Sequence, residues 1–309
     1  MNSQSTAMPE SFGAPGVTPA IVSATQPMYW SVRRELWENR SIYLGPLIAG
    51  GLFLFGFLIS LLHMPARMRA IAGLSPAQQH EVIAKPYDVA AGLMMVTAMI
   101  VGVFYCLDAL HGERRDRSIL FWKSLPVSDL TTVLSKASIP LVVLPLVAFT
   151  FAVALQVIVL LLSSAVLAGN GLSVAALWTQ VSLWQMSMLL LYHLLAVHSL
   201  FHAPFYGWLL LVSAWARRAV FLWAFLPLLG IFVIEKIAFN SSYFANWLGY
   251  RLSGGGLDAM TGPEGFPLDP MTHITPGRFL TSAGLWLGLL VTAAFLVGAA
   301  RLRRSREPI

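Results

Sequence analysis

Six long apolar stretches, separated by short segments that hold most of the charged residues, constrain this chain more than any other feature of its sequence. A stretch of about 20 apolar residues can cross the hydrocarbon core of a bilayer as one helix. Only 11% of the 309 residues are charged, whereas about 25% are charged in soluble domains. We therefore expect an all-α polytopic membrane protein, because a helix satisfies its own backbone hydrogen bonds in lipid.

The limits of the predicted transmembrane helices follow from the positions of charges and helix-breaking residues. The fourth stretch is too long for one upright helix, and Pro204 is expected to kink it or split it in two. An even number of spans puts both ends of the chain on one side. The predicted spans are Ile42–Leu62, Val89–Leu110, Ala137–Leu167, Trp184–Ala214, Ala219–Ala238 and Phe279–Ala300.

Basic residues predict which side that is, because cytoplasmic loops of membrane proteins are enriched in Lys and Arg. With six spans, most of the basic residues fall on the side of the two termini, so both termini are predicted to be cytosolic. The residues predicted to face the cytosol are Arg33, Arg34, Arg40, Arg114, Arg115, Arg117, Lys123, Lys136, Arg217, Arg218, Arg301, Arg303, Arg304 and Arg306; those predicted to face outward are Arg67, Arg69, Lys85, Arg251 and Arg278.

The ends of the chain differ in composition from its centre. Residues 1–28 are rich in Ser, Pro and Gly and have no apolar signal-peptide core, so we expect a disordered cytosolic tail. Residues 29–300 form the predicted transmembrane domain, and residues 301–309 a basic cytosolic tail. Tyr29–Tyr43 mixes aromatic residues with arginines, which predicts a helix in the headgroup region. Aromatic residues at helical spacing in Asn240–Leu252 predict an interfacial helix on the outer side.

The most informative segment is Glu113–Lys136, between the second and third predicted spans. It opens with the charged run Glu113-Arg-Arg-Asp-Arg117 and continues with Ile119-Leu-Phe-Trp122. Pro126 is expected to end this first helix, and Ser128 is a good N-cap for the helix that leads into span three. The segment is therefore predicted to form a cytosolic helix, a tight turn and a second helix.

This order of elements resembles the ABC-2 family of ABC transporter permeases. In that family the loop between spans two and three carries an acid-and-arginine cluster, an aromatic-aliphatic helix, a Leu-Pro-Val-Ser turn and a lysine, here Leu125–Ser128 and Lys136. The resemblance covers most of the chain, including the turn Ser213–Arg218, whereas the outer loop Asn240–Arg278 is longer than the pattern. It implies the six-span architecture of type V exporters, with an N-terminal interfacial helix and a cytosolic coupling helix.

The resemblance also implies a function and partners. The chain would be the permease subunit of an exporter in the bacterial cytoplasmic (inner) membrane, paired with a second permease chain, like or unlike. A separate ATP-binding subunit would bind ATP and Mg²⁺, so this chain would carry no cofactor and no catalytic site. The coupling helix would dock on that subunit through the apolar anchors Phe121, Trp122 and Leu125 and through the orienting charges Glu113, Arg114, Arg115, Asp116 and Arg117.

Two further features bear on these expectations. A P-loop needs Gly immediately before its lysine, but the residues before the four lysines are Ala84, Trp122, Ser135 and Glu235, so ATP hydrolysis is expected on another chain. The net charge of +6 is interpreted as an orientation signal rather than as a nucleic-acid surface, because basic residues in membrane chains mark the cytosolic side.

Polar residues inside the predicted spans are candidates for a transport path or gate, since ionisable groups are costly in lipid. These candidates are Asp108, Tyr192, Glu235 and Lys236. Glu235 and Lys236 also fit structural anchoring at the outer interface.

Three histidines leave other functions open. His198 and His202 lie one helical turn apart, close to His193, but the stretch contains no thiol or carboxylate ligand, so hydrogen bonding between helices is favoured over a metal site. An integral membrane enzyme with a histidine metal site is one alternative to a permease. A membrane scaffold that binds an ATPase without transporting anything is the other.

Overall fold

The computed structural model describes residues 26–124, 127–252 and 280–305, and within these ranges it is helical without any strand. Six segments are long and apolar enough to cross a membrane, as the sequence predicts, so the chain has the architecture of a polytopic α-helical membrane protein. These candidate spans are Ser41–Leu61, Pro76–Arg115, Asp129–Gly169, Ala175–Phe201, Val220–Phe239 and Ala283–Ser305.

We number the helices in chain order. They are α1 (Gln26–Glu38), α2 (Ser41–Leu61), α3 (Met64–Ile71), α4 (Pro76–Ala109), α5 (His111–Arg115), α6 (Ser118–Lys123), α7 (Asp129–Ser138), α8 (Leu144–Gly169), α9 (Ala175–Gln180), α10 (Leu183–Tyr192), α11 (Ala203–Trp215), α12 (Val220–Phe239), α13 (Tyr243–Leu252) and α14 (Ala283–Ser305). Segments Ile139–Val143 and His193–Phe201 are π-helical and join α7 to α8 and α10 to α11.

The second span is longer than its apolar core. Helix α4 begins at Pro76, because Ser75 and Gln78 form a capping box there and proline suits the first helical turn. Its 34 residues extend over about 51 Å, well beyond the roughly 30 Å hydrocarbon core. Near the start of α4, Tyr87 packs with Leu160 and Leu177 in an apolar cluster separate from the main core. The prediction that started this helix at Val89 followed only its apolar part.

The fourth span is broken, as Pro204 predicts. Proline lacks the N–H that an uninterrupted helix needs, and α11 starts one residue before it. Gln180 before α10 hydrogen-bonds Gln79 near the start of α4. At the other end of α11, Arg114 donates to the carbonyl of Ala214. Helices α10 and α11 therefore lie along the length of α4 and together form one span.

Helix α11 lies at the centre of the bundle, against α4 and α14. Small residues allow these helices to approach closely. A Cβ at Gly102 of α4 would lie 3.0 Å from the Tyr206 ring of α11, and one at Gly207 would lie 3.4 Å from Thr292 of α14. Tyr206 is buried, and its hydroxyl hydrogen-bonds His198 Nε2 at 3.0 Å. This contact fixes the position of the broken span.

The first and last described helices meet at one end of the bundle, which we call the charged end. There α1 packs on α7, and α7 packs on the end of α14. Helix α14 continues through Arg301–Arg304 to Ser305, so the first residues of the predicted basic tail are helical. Residues 1–25 and 306–309 of the predicted tails lie outside the described ranges.

We expect Gly102→Ala to lower the free energy of unfolding by about 1–3 kcal/mol, because the added methyl must displace the buried Tyr206 ring. Gly92→Ala in the same helix is the matched control, since a Cβ there meets no atom within 4 Å. It should stabilise the protein slightly, because alanine favours a helix by about 0.5–1 kcal/mol over glycine. Denaturant titration in mixed micelles measures both. Equal effects would contradict the close approach of α4 and α11.

Candidate functional site

A sharp turn between α4 and α5 leads into the segment Glu113–Lys136, and α11 holds this turn in place. The Ser213 hydroxyl of α11 accepts hydrogen bonds from the N–H groups of Leu110 and His111 at 3.1 and 2.9 Å. It donates in turn to the carbonyl of Leu107 at 2.9 Å. Arg117 then adopts a left-handed backbone conformation, with φ of 58°, and separates α5 from α6. The direction of α6 is therefore set by contacts at the end of the bundle.

Glu113 of α5 is the centre of a buried group of ion pairs. One carboxylate oxygen lies 2.8 Å from Arg34 Nη2 and 3.1 Å from Lys136 Nζ. The other oxygen lies 3.3 Å from Arg303 Nη2. These partners come from α1, α7 and α14, so one carboxylate joins four helices.

A second carboxylate, that of Glu35 in α1, completes the arrangement from the other side. Its Oε1 lies 2.9 Å from both Lys136 Nζ and Arg34 Nη2. Its Oε2 accepts a hydrogen bond from the hydroxyl of Tyr105 at 2.7 Å and from the amide of Asn39 at 3.3 Å. Glu35 and Lys136 are almost completely buried. Each charge therefore has its partners inside the protein.

The third carboxylate belongs to Asp129, in the first turn of α7, and pairs with Arg303 of α14. Ser128 caps this helix, as predicted, by accepting a hydrogen bond from the N–H of Thr131 at 3.0 Å. Three cations thus face these three carboxylates, which avoids an uncompensated buried charge, and Arg34 also pairs with the half-exposed Glu38 at 3.3 Å. We call this set the ion network; its members are Arg34, Glu35, Glu113, Asp129, Lys136 and Arg303.

Arg34 connects the ion network to α6. Its guanidinium lies 3.7 Å from the centre of the Trp122 ring, a close cation–π contact. Burial alone would lower the pKa of Arg34, but the neighbouring carboxylates of Glu35 and Glu113 raise it above its ordinary value. Arg34 therefore stays charged, and α6 is attached to α1 through it.

The residues predicted to orient a partner divide into two groups. Glu113 and Arg114 point into the protein, where Arg114 donates to the carbonyls of Ala214 and Ala216 at 2.8 and 3.2 Å. A cation is favourable at these carbonyls, which end α11. The other three, Arg115, Asp116 and Arg117, are exposed.

The predicted apolar anchors are also separated. Phe121 is exposed, whereas Trp122 is partly buried between Phe121 and Arg34. Ile119 is buried beneath α6. Leu125 lies outside the described residues.

The candidate path or gate residues lie apart from one another. Asp108 is paired with Arg115 on the exposed surface at 3.4 Å. Tyr192 lies along an open apolar surface of α10. Glu235 accepts hydrogen bonds from Ser241 Oγ and from the Phe244 N–H at 2.7 and 2.8 Å. It therefore caps α13, where a carboxylate stabilises the positive end of a helix.

Lys236, the last of these candidates, is exposed beside Glu235. The path or gating role of these four residues stays a prediction.

The histidines take part in contacts between helices. His202 Nε2 lies 3.0 Å from the carbonyl of Leu252 in α13, and His198 binds Tyr206. Within the described residues, no group of three or more His, Cys, Asp or Glu side chains is placed to hold a metal ion. These contacts are the interhelical hydrogen bonds that the sequence favoured.

Reasoning from the sequence missed five of the six members of the ion network as site residues, all except Glu113. Glu35, Lys136 and Arg303 are separated from one another by about a hundred residues or more, so no local motif contains them. One signal was available: the distribution of basic residues assigns Lys136 and Arg303 to the same side of the membrane as Arg34 and Arg114. An acidic residue adjacent to such a cluster is the natural partner.

Comparisons of the chain with family models, curated proteins and solved structures gave no match.

Glu113→Gln should lower the free energy of unfolding by about 3–5 kcal/mol, because it leaves Lys136 and Arg303 buried without their shared carboxylate. Asp116→Asn removes an exposed carboxylate from the same segment and should cost below about 1 kcal/mol. Denaturant titration in mixed micelles, followed by circular dichroism, compares the two variants. A loss for Glu113→Gln no larger than that for Asp116→Asn would show that the ion network is not a structural centre.

Proposed function

We propose that this chain is the membrane-spanning subunit of an ABC exporter of the ABC-2 kind, with its charged end in the cytosol of a bacterial cell. Six candidate spans and the order of elements in Glu113–Lys136 support this proposal. The charged end also contains α1, the last turns of α14 and most of the basic residues. This distribution of basic residues favours a cytosolic position for the charged end.

One observation carries the proposal: α6 presents apolar side chains to solvent at the charged end. Leu120 and Phe121 are 59% and 60% exposed, although they lie beyond the apolar part of span two. The three residues immediately before α6, Arg115, Asp116 and Arg117, are charged and exposed as well. An exposed apolar pair with a charged rim is typical of a protein–protein interface.

The ion network supplies a route from this surface to the spans. Trp122 of α6 contacts Arg34, and Glu113 joins α5 to α1, α7 and α14. A push on α6 by an ATP-binding subunit would therefore reach four helices through paired charges, without crossing a flexible loop. The exposed residues Arg115–Arg117 would set the orientation of the docked subunit through charge pairs.

Helix α12 is the candidate contact for a second permease chain. It is the most exposed of the six candidate spans, with Leu226, Leu229 and Ile234 all on its open surface. A span with little packing inside its own chain favours association with another copy or with lipid.

Replacing both Leu120 and Phe121 with alanine should abolish co-purification of a P-loop ATPase with the tagged chain in mild detergent. The affinity should fall by at least tenfold, because burial of each large apolar side chain contributes about 1.5–3 kcal/mol. Phe55→Ala is the control, since Phe55 is 66% exposed on the apolar span α2, and it should leave the ATPase bound. Retention of the ATPase by the double variant would exclude α6 as the docking helix.

The same preparation separates the other candidate functions. Cargo-stimulated ATP hydrolysis by the purified complex supports transport, whereas a stable complex whose hydrolysis never responds to cargo identifies a scaffold. A chain that purifies alone with bound metal and has activity without any ATPase supports the membrane enzyme.

A further inference from the structure

Helix α1 carries an aromatic and cationic stripe on the surface that faces away from the bundle. Trp30 and Trp37 are 58% and 70% exposed. The guanidinium carbon of Arg33 lies 5.1 Å from the Trp30 ring centre and 4.8 Å from that of Trp37. Residues spaced by three and four positions lie on the same side of a helix, so the three side chains form one continuous surface.

The ion network fixes which way this stripe points. Glu35, on the opposite side of α1, pairs with Lys136 of α7, and Arg34, at the edge of the stripe, pairs with Glu113 of α5. Rotation of α1 about its axis would break these buried pairs. These pairs therefore fix the rotation of α1 and keep the stripe on its outer surface in the folded chain.

Arg33 differs from its neighbour Arg34 in having unused donors. Arg34 is paired with three carboxylates, whereas Arg33 has no hydrogen bond or ion pair with any residue in the described ranges. A guanidinium held over aromatic faces keeps its in-plane N–H groups free, and these donors match the oxygens of a phosphate. The indole rings also favour the boundary between water and hydrocarbon.

The position of the stripe indicates its occupant. Beyond the α1–α2 junction, where Arg40 is also exposed, α2 exposes Leu44, Leu47 and Ile48. This apolar surface belongs to a candidate span and faces acyl chains. A cationic, indole-rich surface at the end of such a span lies at the depth of the lipid headgroups.

We propose that Trp30, Arg33 and Trp37 bind the phosphate of an anionic phospholipid and thereby anchor α1 in the cytosolic headgroup layer. The binding requires only the membrane-spanning fold, so it holds whether or not the chain couples to an ATPase. Lipid bound to the stripe acts on the ion network through the same helix, because α1 also contributes Arg34 and Glu35 to that network. The stability of the charged end would then depend on the anionic lipid content of the membrane.

The test is quenching of tryptophan fluorescence in the purified full-length chain, titrated in neutral detergent with brominated phosphatidylglycerol or brominated phosphatidylcholine. Because the chain has ten tryptophans, the signal of the stripe is the difference between each protein and its matched variant with Trp30→Phe and Trp37→Phe. In the wild type, this difference signal should be quenched at severalfold lower concentration of phosphatidylglycerol than of phosphatidylcholine. Arg33→Gln keeps both indoles but should lose this preference. Arg69→Gln is the control, because Arg69 is an exposed arginine of α3, near the opposite end of α2, and it should keep the preference.

Other outcomes would overturn the proposal. A wild type that is quenched equally by the two lipids has no anionic site, and a preference that survives in Arg33→Gln places the site elsewhere. If inorganic phosphate at the concentration of the lipid abolishes the preference, a soluble anion rather than a lipid is the ligand. If Arg33→Gln instead loses a co-purifying protein in detergent and keeps the lipid preference, the stripe is a protein interface.

Discussion

The cost of burying charge in a protein governs the charged end of this molecule. Glu113 cannot be buried alone, because an unpaired carboxylate away from water is strongly unfavourable. It is buried because Arg34, Lys136 and Arg303 reach it from three other helices. The packing of α1 on α7, the direction of α6 and the outward surface of α1 all depend on these pairs.

Local chemistry made much of the fold predictable. The apolar stretches gave α2 and α12 to within one residue, Ser128 capped α7, and Pro204 split the fourth span. Each of these features depends on a few neighbouring residues. The extension of α4 back to Pro76 was missed, because its first turns are polar and only the capping box marks their helical state.

The candidate site was less predictable, because the partners of a charge are set by packing between distant parts of the chain. The run Glu113–Arg117 gives no local signal that its first two members point inward and the others outward. That division follows from the turn at Arg117 and from the carbonyls at the end of α11, which Arg114 binds. Trp122, expected as an anchor for a partner, also contacts Arg34 within its own chain.

The order in which the ion network's members are synthesised has a consequence for biogenesis. Arg303 follows all the others along the chain. The five members made before it carry two positive and three negative charges, and the carboxylate of Asp129, which pairs with Arg303, lacks that partner until α14 is inserted. The charged end can therefore be completed only after the last helix has been made, and its assembly is a late step in the folding of the chain.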